Sequence, residues 1–176
     1  MPISCGYNFT RELRLTSHYR LELCGSAVPL LQNYDFRLTR DIDFSKPVDN
    51  ITYTLIQKVL KDSEFPSDFL DTQAVGVVCL LEDYEDRLVE IKDNFKHVQV
   101  YVLSIEDWMI SKLEAPKFDD LLKDCGKRFV TKERVDWMQE NMHLYCGLKP
   151  EYAQQSLDIL KRELDTDDTF TTSDIF

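Results

Sequence analysis

One alternating stretch near the start of the chain, "YRLELCGSAVPLLQNY", constrains the fold more than any other feature. Apolar and polar side chains alternate from Tyr19 to Cys24, and this period of two predicts a β-strand with one buried face. Gly25 ends the alternation, and Ser26 is a suitable N-cap for the helix-forming residues that follow. The stretch therefore predicts a strand, a turn and a helix in succession. Such a junction is either purely structural or a phosphate site built from free backbone N–H groups.

A second alternating stretch, "RLTRDIDF", contains two aspartates separated by one isoleucine. Every second side chain of a strand points to the same side, so Asp41 and Asp43 are expected to share a side. Mg²⁺ prefers carboxylate oxygens and would remove the repulsion between them. The alternative hypothesis is an ordinary solvated strand face, neutralised by Arg37 or Arg40.

The rest of the chain divides into a strand-rich first part and a helical second part. The stretch "NITYTLIQKVLKDS" has helical spacing, and "RLVEI" with "VQVYVLS" predicts an antiparallel hairpin. Helical patterns dominate from Ser104 onward, beginning with "SIEDWMISKLEA". We therefore predict an α+β fold, a small mixed sheet with packed helices. Its predicted parts are a core at 1–103, a helical part of the same domain at 104–164, and a flexible acidic tail at 165–176.

Composition limits the classes of function. The formal net charge of −11 disfavours a broad nucleic-acid-coating surface, because phosphate backbones attract basic surfaces. The five cysteines are scattered and never form a C-x-x-C pair, which predicts reduced thiols and no structural zinc site. No apolar run is long enough to span a membrane. These features predict a cytoplasmic protein with no membrane partner.

Several quoted stretches together are similar to a known family. The stretch "LCGSAVPLLQNYDFRLTRDIDF" resembles the DNA-polymerase-β-like nucleotidyltransferase superfamily, and more closely the small bacterial DUF6036 and AbiEii-like group, which is related to toxins of type IV toxin–antitoxin systems. The later "DFLDT", "YEDRLVEI" and "VYVLSIEDWMISKLEA" are similar to the same group. The resemblance runs from about Leu13 to Asp124.

The resemblance implies a nucleotide site at the first two stretches. Gly25 and Ser26 would hold the phosphates of the nucleotide. Asp41 and Asp43 would bind Mg²⁺, which bridges those phosphates and stabilises charge during in-line displacement.

Lys112 and one of two neighbouring aspartates are assigned to the site from the same resemblance. Lys112, in "SKL", would contact phosphate, although a solvent-facing helix residue is the alternative. Asp119 or Asp120 falls near a family aspartate that holds this lysine, and the resemblance does not distinguish between the two. Arg40, beside the aspartate pair, joins Asp120 among the nucleotide-binding candidates.

The implied activity is Mg²⁺-dependent transfer of a nucleotide from a nucleoside triphosphate to an acceptor hydroxyl. RNA, such as the 3′ end of tRNA, and protein side chains are the candidate acceptors, and toxin–antitoxin or phage-defence roles are implied. Full polymerase-β-like sites also use a third carboxylate on a neighbouring strand. The stretch "VQVYVLS" has none, and Glu90 is the substitute that the sequence offers. The alternative function is a catalytically inactive module of the same fold that binds a protein partner.

Overall fold

The computed structural model describes residues 19–34, 39–66, 68–71, 78–92, 97–114 and 130–167. Within these ranges the chain forms one five-stranded mixed sheet and five α-helices, which confirms the predicted α+β fold. The strands are β1 (Tyr19–Cys24), β2 (Ile42–Phe44), β3 (Leu70–Asp71), β4 (Val89–Glu90) and β5 (Val98–Val102). The helices are α1 (Ala27–Leu31), α2 (Asn50–Lys61), α3 (Ile105–Ile110), α4 (Lys132–Asn141) and α5 (Pro150–Asp167), with short 3₁₀ helices at Tyr84–Arg87 and Met142–Leu144.

The chain falls into two compact units. The first comprises residues 1–78 and 87–104 and contains the whole sheet with α1 and α2. The second comprises residues 79–86 and 105–176 and contains α3, α4 and α5. The three-part division predicted from the sequence stays a prediction.

The sheet of the first unit has the strand order β3-β2-β1-β5-β4. The central strand β1 is antiparallel to β2 and parallel to β5. At the edges, β3 runs parallel to β2, and β4 runs antiparallel to β5. The β4–β5 pairing confirms the hairpin predicted from "RLVEI" and "VQVYVLS".

The two faces of the sheet differ in chemistry. Residues directly paired across strands share a face, so the register assigns each side chain to one of them. The apolar face includes buried residues from three strands, namely Leu23, Phe44, Val98 and Val102. The other face, here the polar face, carries Arg20, Glu22, Asp43, Asp71, Glu90 and Tyr101. The strand predicted for β1 is confirmed, but its single buried face is not, because Glu22 and Cys24 on the polar face are buried as well.

Strand β2 begins later than the sequence predicts. The stretch "RLTRDIDF" suggests a strand from Arg37, but the described strand starts at Ile42. The Thr39 hydroxyl donates to the backbone oxygen of Asp41 at 3.0 Å and lies 2.7 Å from its carboxylate Oδ1. Local side-chain hydrogen bonds of this kind compete with the strand ladder. The described part of the predicted strand before Ile42 is therefore a bend.

Helix α2 forms where the apolar spacing predicts it. Its buried positions Thr52, Ile56 and Leu60 recur every fourth residue on one side. The helix begins after Asp49, whose carboxylate accepts hydrogen bonds from the backbone N–H groups of Ile51 and Thr52 at 2.8 and 2.9 Å. These contacts satisfy two backbone donors that a helix start leaves unpaired.

The second unit is built from three helices with a buried core. Trp108 and Met109 of α3, Met138 of α4 and Leu157 of α5 are all almost fully buried. Helix α3 ends at Ile110, two residues before Lys112, which the sequence places on the same helix. Helix α5 continues to Asp167 and so includes 165–167 of the predicted tail. No helix in the described ranges is both long and apolar enough to cross a membrane.

Candidate active site

A left-handed glycine connects β1 to α1. Gly25 has φ +68°, a conformation that residues with a side chain rarely adopt. A Cβ atom built at Gly25 would collide with the carboxylate of Asp43, lying 2.7 Å from its Cγ. Glycine is therefore required here on two counts, the backbone conformation and the close approach of the aspartate.

Asp43 lies at the sheet position that brings it to this turn. It pairs with Cys24, the last residue of β1, so its side chain lies on the same face as that of Cys24. Cys24 is fully buried, whereas Asp43 is half-buried. The carboxylate thus stands directly against the backbone of Gly25.

Ser26 occupies the N-cap position of α1, as the sequence predicts, but its side chain makes no capping hydrogen bond. The reason is its backbone, which has φ −73° and ψ −11° instead of the extended conformation usual at an N-cap. Helix α1 has only five residues. The hydroxyl of Ser26 is thus not used to hold the helix start, and its phosphate-binding role stays a prediction.

Asp41 and Arg40 both precede β2 and are exposed. The strand register fixes the face of Asp43 but not that of Asp41, which lies in the bend with Thr39. Joint binding of Mg²⁺ by Asp41 and Asp43 stays a prediction, as does nucleotide binding by Arg40.

Asp71 is an acidic neighbour of Asp43 that the sequence pattern does not reveal. It pairs with Asp43 across the parallel strands β2 and β3, so both carboxylates are on the polar face. Asp71 is part of the stretch "DFLDT", but its strand β3 has only two residues, which is too short to show an alternating pattern. Glu90 is on the same face at the opposite edge, three strand spacings or about 14 Å from Asp43. This separation argues against the predicted substitution of Glu90 for a third carboxylate.

Among the residues that the structure describes, no group of three or more His, Cys, Asp or Glu side chains is arranged to hold a metal ion. The donors near the glycine turn are carboxylate oxygens, which suit a hard cation. Mg²⁺ commonly takes one or two carboxylates and completes its coordination with water and substrate phosphates. The donor chemistry at Asp43 fits such a cation.

Lys112, which the sequence predicts to contact phosphate, belongs to the second unit. Lys112 is half-buried just after α3, and its backbone N–H donates to the carbonyl of Met109 at 3.0 Å. Its approach to Asp43 stays a prediction. Asp119 and Asp120 lie outside the described residues.

Comparison with protein-family models gives a match over most of the chain. A family model described as nucleotidyltransferase of unknown function (DUF6036) matches residues 8–145. No curated protein and no solved structure matches the chain.

Proposed function

Because the chain belongs to the DUF6036 family of nucleotidyltransferases of unknown function, as its sequence resemblance predicted, we propose that it transfers a nucleotide from a nucleoside triphosphate to an acceptor hydroxyl. One observation carries the proposal beyond the family match. The carboxylate of Asp43 stands against the side-chain-free backbone of Gly25, directly before the start of α1. A carboxylate packed against a glycine turn at the start of a helix could hold a cation that in turn binds a phosphate.

In the proposed reaction the acceptor hydroxyl oxygen forms a bond to the α-phosphorus of the nucleoside triphosphate. The bond between the α-phosphorus and the oxygen that bridges it to the β-phosphorus breaks. Pyrophosphate leaves, and the hydroxyl proton passes to solvent. Asp43, with Asp41, would hold Mg²⁺, which when bound neutralises charge on the phosphates. Gly25 lets the Asp43 carboxylate reach the turn, and the turn backbone with the Ser26 hydroxyl, which makes no capping hydrogen bond, is proposed to contact the phosphates. Lys112 is proposed as a further phosphate contact.

The acceptor and the biological setting are proposed from the resemblance alone. RNA, including the 3′ end of tRNA, is the first candidate acceptor, and a protein side chain is the second. A toxin–antitoxin or phage-defence role in the cytoplasm is consistent with both acceptors.

Transfer of labelled nucleotide to total RNA and to total protein tests the proposal. We expect Asp43→Asn to lower transfer by on the order of a hundredfold or more, because the metal loses one charged ligand while the side chain keeps its shape. Glu90→Gln is the matched control, since Glu90 is on the same face at the far edge of the sheet. Equal loss in both variants, or full activity in Asp43→Asn, would contradict the assigned role.

The second candidate function is a protein-binding module without catalysis. It is favoured by the sequence of β5, which carries no third carboxylate of the kind that full polymerase-β-like sites use. Thermal unfolding with Mg²⁺ and each nucleoside triphosphate separates the two functions, because a ligand that binds only the folded state raises the unfolding midpoint. No shift at millimolar nucleotide, together with no transfer by the wild type, would favour the module.

A further inference from the structure

A cavity of about 430 Å³ opens beside β1 in the first unit, separate from the glycine turn. It lies where the chain after β2 diverges from β1 and leads into α2. Its volume falls in the range of small-molecule sites. Apolar walls are provided by Phe44, Pro47 and Ile51, and charged ones by Arg20, Glu22 and Lys46.

Glu22 is a buried charged group of this cavity, with 7% of its surface exposed. Its Oε1 lies 2.9 Å from Arg20 Nε and accepts a hydrogen bond from Lys46 Nζ at 3.4 Å. Its Oε2 lies 3.3 Å from Lys46 Nζ as an ion pair but has no hydrogen-bond partner. Buried oxygens are almost always hydrogen-bonded in folded proteins. Oε2 is therefore an acceptor without a donor. It is enclosed by its neighbours, but the Lys46 side chain beside it is 39% exposed and can move to admit a ligand donor.

The charges around Glu22 select a neutral donor. Arg20 and Lys46 balance the carboxylates of Glu22 and Asp49, all four of which line the cavity. Arg20 is also held 4.4 Å from the centroid of the Tyr101 ring, so its guanidinium is fixed by contacts on the polar face. With charges already balanced, an added ion would be left uncompensated, whereas a neutral N–H group would satisfy Oε2.

A flat neutral ring that carries an N–H donor fits both the acceptor and the apolar walls. We propose that this cavity binds a nucleobase, with its exocyclic amine donating to Glu22 Oε2. The identification of the ring rests on the proposed function, since a nucleotide substrate supplies such a base. Glu22 precedes Gly25 by three residues, about 10 Å along an extended strand, and shares the polar face with Asp43.

Nucleosides without phosphate test the cavity independently of catalysis. Adenosine, guanosine and cytidine all carry an exocyclic amine and would be titrated without Mg²⁺ into the wild type and into Asp43→Asn. At least one should bind both proteins equally, and if adenosine binds, purine riboside, which lacks the amine, should bind roughly tenfold more weakly. Failure of all three at millimolar concentration would overturn the inference, as would equal binding of purine riboside. Binding by Asp43→Asn would uphold the inference even where nucleotide transfer fails.

Two variants locate the bound base. Glu22→Gln should weaken nucleoside binding by roughly fivefold or more, because a hydrogen bond to a charged acceptor is stronger than one to an amide. Glu90→Gln should leave it unchanged. If Glu22→Gln fails to fold, as judged by circular dichroism, Ile51→Ser replaces it, since Ile51 lines the cavity but is 65% exposed and tolerates change. Unchanged binding in the folded variant would refute the location.

Discussion

At the scale of single residues, the glycine before α1 has the most sharply defined role. Gly25→Ala introduces a Cβ into the carboxylate of Asp43 at a backbone φ of +68°. The left-handed conformation alone costs about 1–2 kcal/mol for a residue with a side chain, and the collision adds to it. We expect a loss of roughly 2 kcal/mol or more in the free energy of unfolding, measured by urea titration with far-UV circular dichroism.

The neighbouring serine provides the control for that variant. Ser26→Ala removes a hydroxyl that makes no capping hydrogen bond, so we expect the free energy of unfolding to change by less than about 0.5 kcal/mol. If Gly25→Ala were as stable as Ser26→Ala, the close approach of Asp43 to the turn would be wrong.

Cys79 in the second unit should be an unreactive thiol. Burial, and then the hydrogen bond from its Sγ to Glu114 Oε2 at 3.3 Å, raise the pKa of the Cys79 thiol. The thiolate is the nucleophile, so a raised pKa leaves less of the reactive form at a given pH. We expect iodoacetamide to modify Cys79 roughly tenfold more slowly than the exposed Cys146 at mildly alkaline pH.

Peptide mass spectrometry measures both rates in one sample and separates them from those of the other cysteines. Glu114→Gln should speed modification of Cys79, because it removes the negative charge that favours the protonated thiol. A Cys79 rate equal to that of Cys146 in the wild type would show that the thiol is neither half-buried nor hydrogen-bonded to Glu114 as described.

At the scale of elements, the start of α2 depends on one carboxylate. Asp49→Ala leaves the backbone N–H groups of Ile51 and Thr52 without their acceptor, and we expect the midpoint of thermal unfolding to fall by about 2–4 °C. The hydrogen bond from the Thr52 side chain, then the one from its backbone, lower the pKa of the Asp49 carboxyl below 3.8.

The direction of the pH effect follows from that lowered pKa. The stabilising contribution is complete above the unfolded-state pKa and is lost as the pH falls through the lower folded-state pKa. The difference between wild type and Asp49→Ala should therefore be constant near neutral pH and shrink in acid below pH 3.8. Thermal unfolding of both proteins across that pH range measures this difference. A stability difference that widened in acid would contradict the role of the Asp49 carboxylate as the cap of α2.

The elements also show what the sequence can and cannot predict. Strand β1 and helix α2 followed directly from their periodicity, because each is long enough to show a repeat. Strand β2 is shorter than predicted because Thr39 bonds to Asp41, a local competition that alternation cannot reveal. The two-residue β3 has no repeat to detect, so the place of Asp71 beside Asp43 emerged only from strand pairing. The Gly25–Asp43 contact likewise joins residues that only the fold brings together.

At the scale of the whole molecule, the net charge of −11 opposes general attraction to RNA. We expect RNA affinity to rise by less than about tenfold when salt is lowered from about 200 to about 50 mM, far less than for proteins with many phosphate contacts. Filter binding with labelled tRNA at several salt concentrations measures this, with nucleoside triphosphate affinity as the reference. A steep rise in RNA affinity at low salt would show that the protein has a local basic surface despite its negative net charge.

The division of the chain into two units has a practical consequence for optical experiments. Both tryptophans, Trp108 and Trp137, belong to the second unit, and the unit that carries the sheet has none. Trp108 is almost fully buried in α3, so its emission should change strongly when that helical unit unfolds. Tryptophan fluorescence is therefore a natural reporter of the helical unit, whereas circular dichroism reports on both units. A nucleotide that binds beside Gly25 acts on the unit without tryptophan, so circular dichroism is the better signal for its effect on the unfolding midpoint.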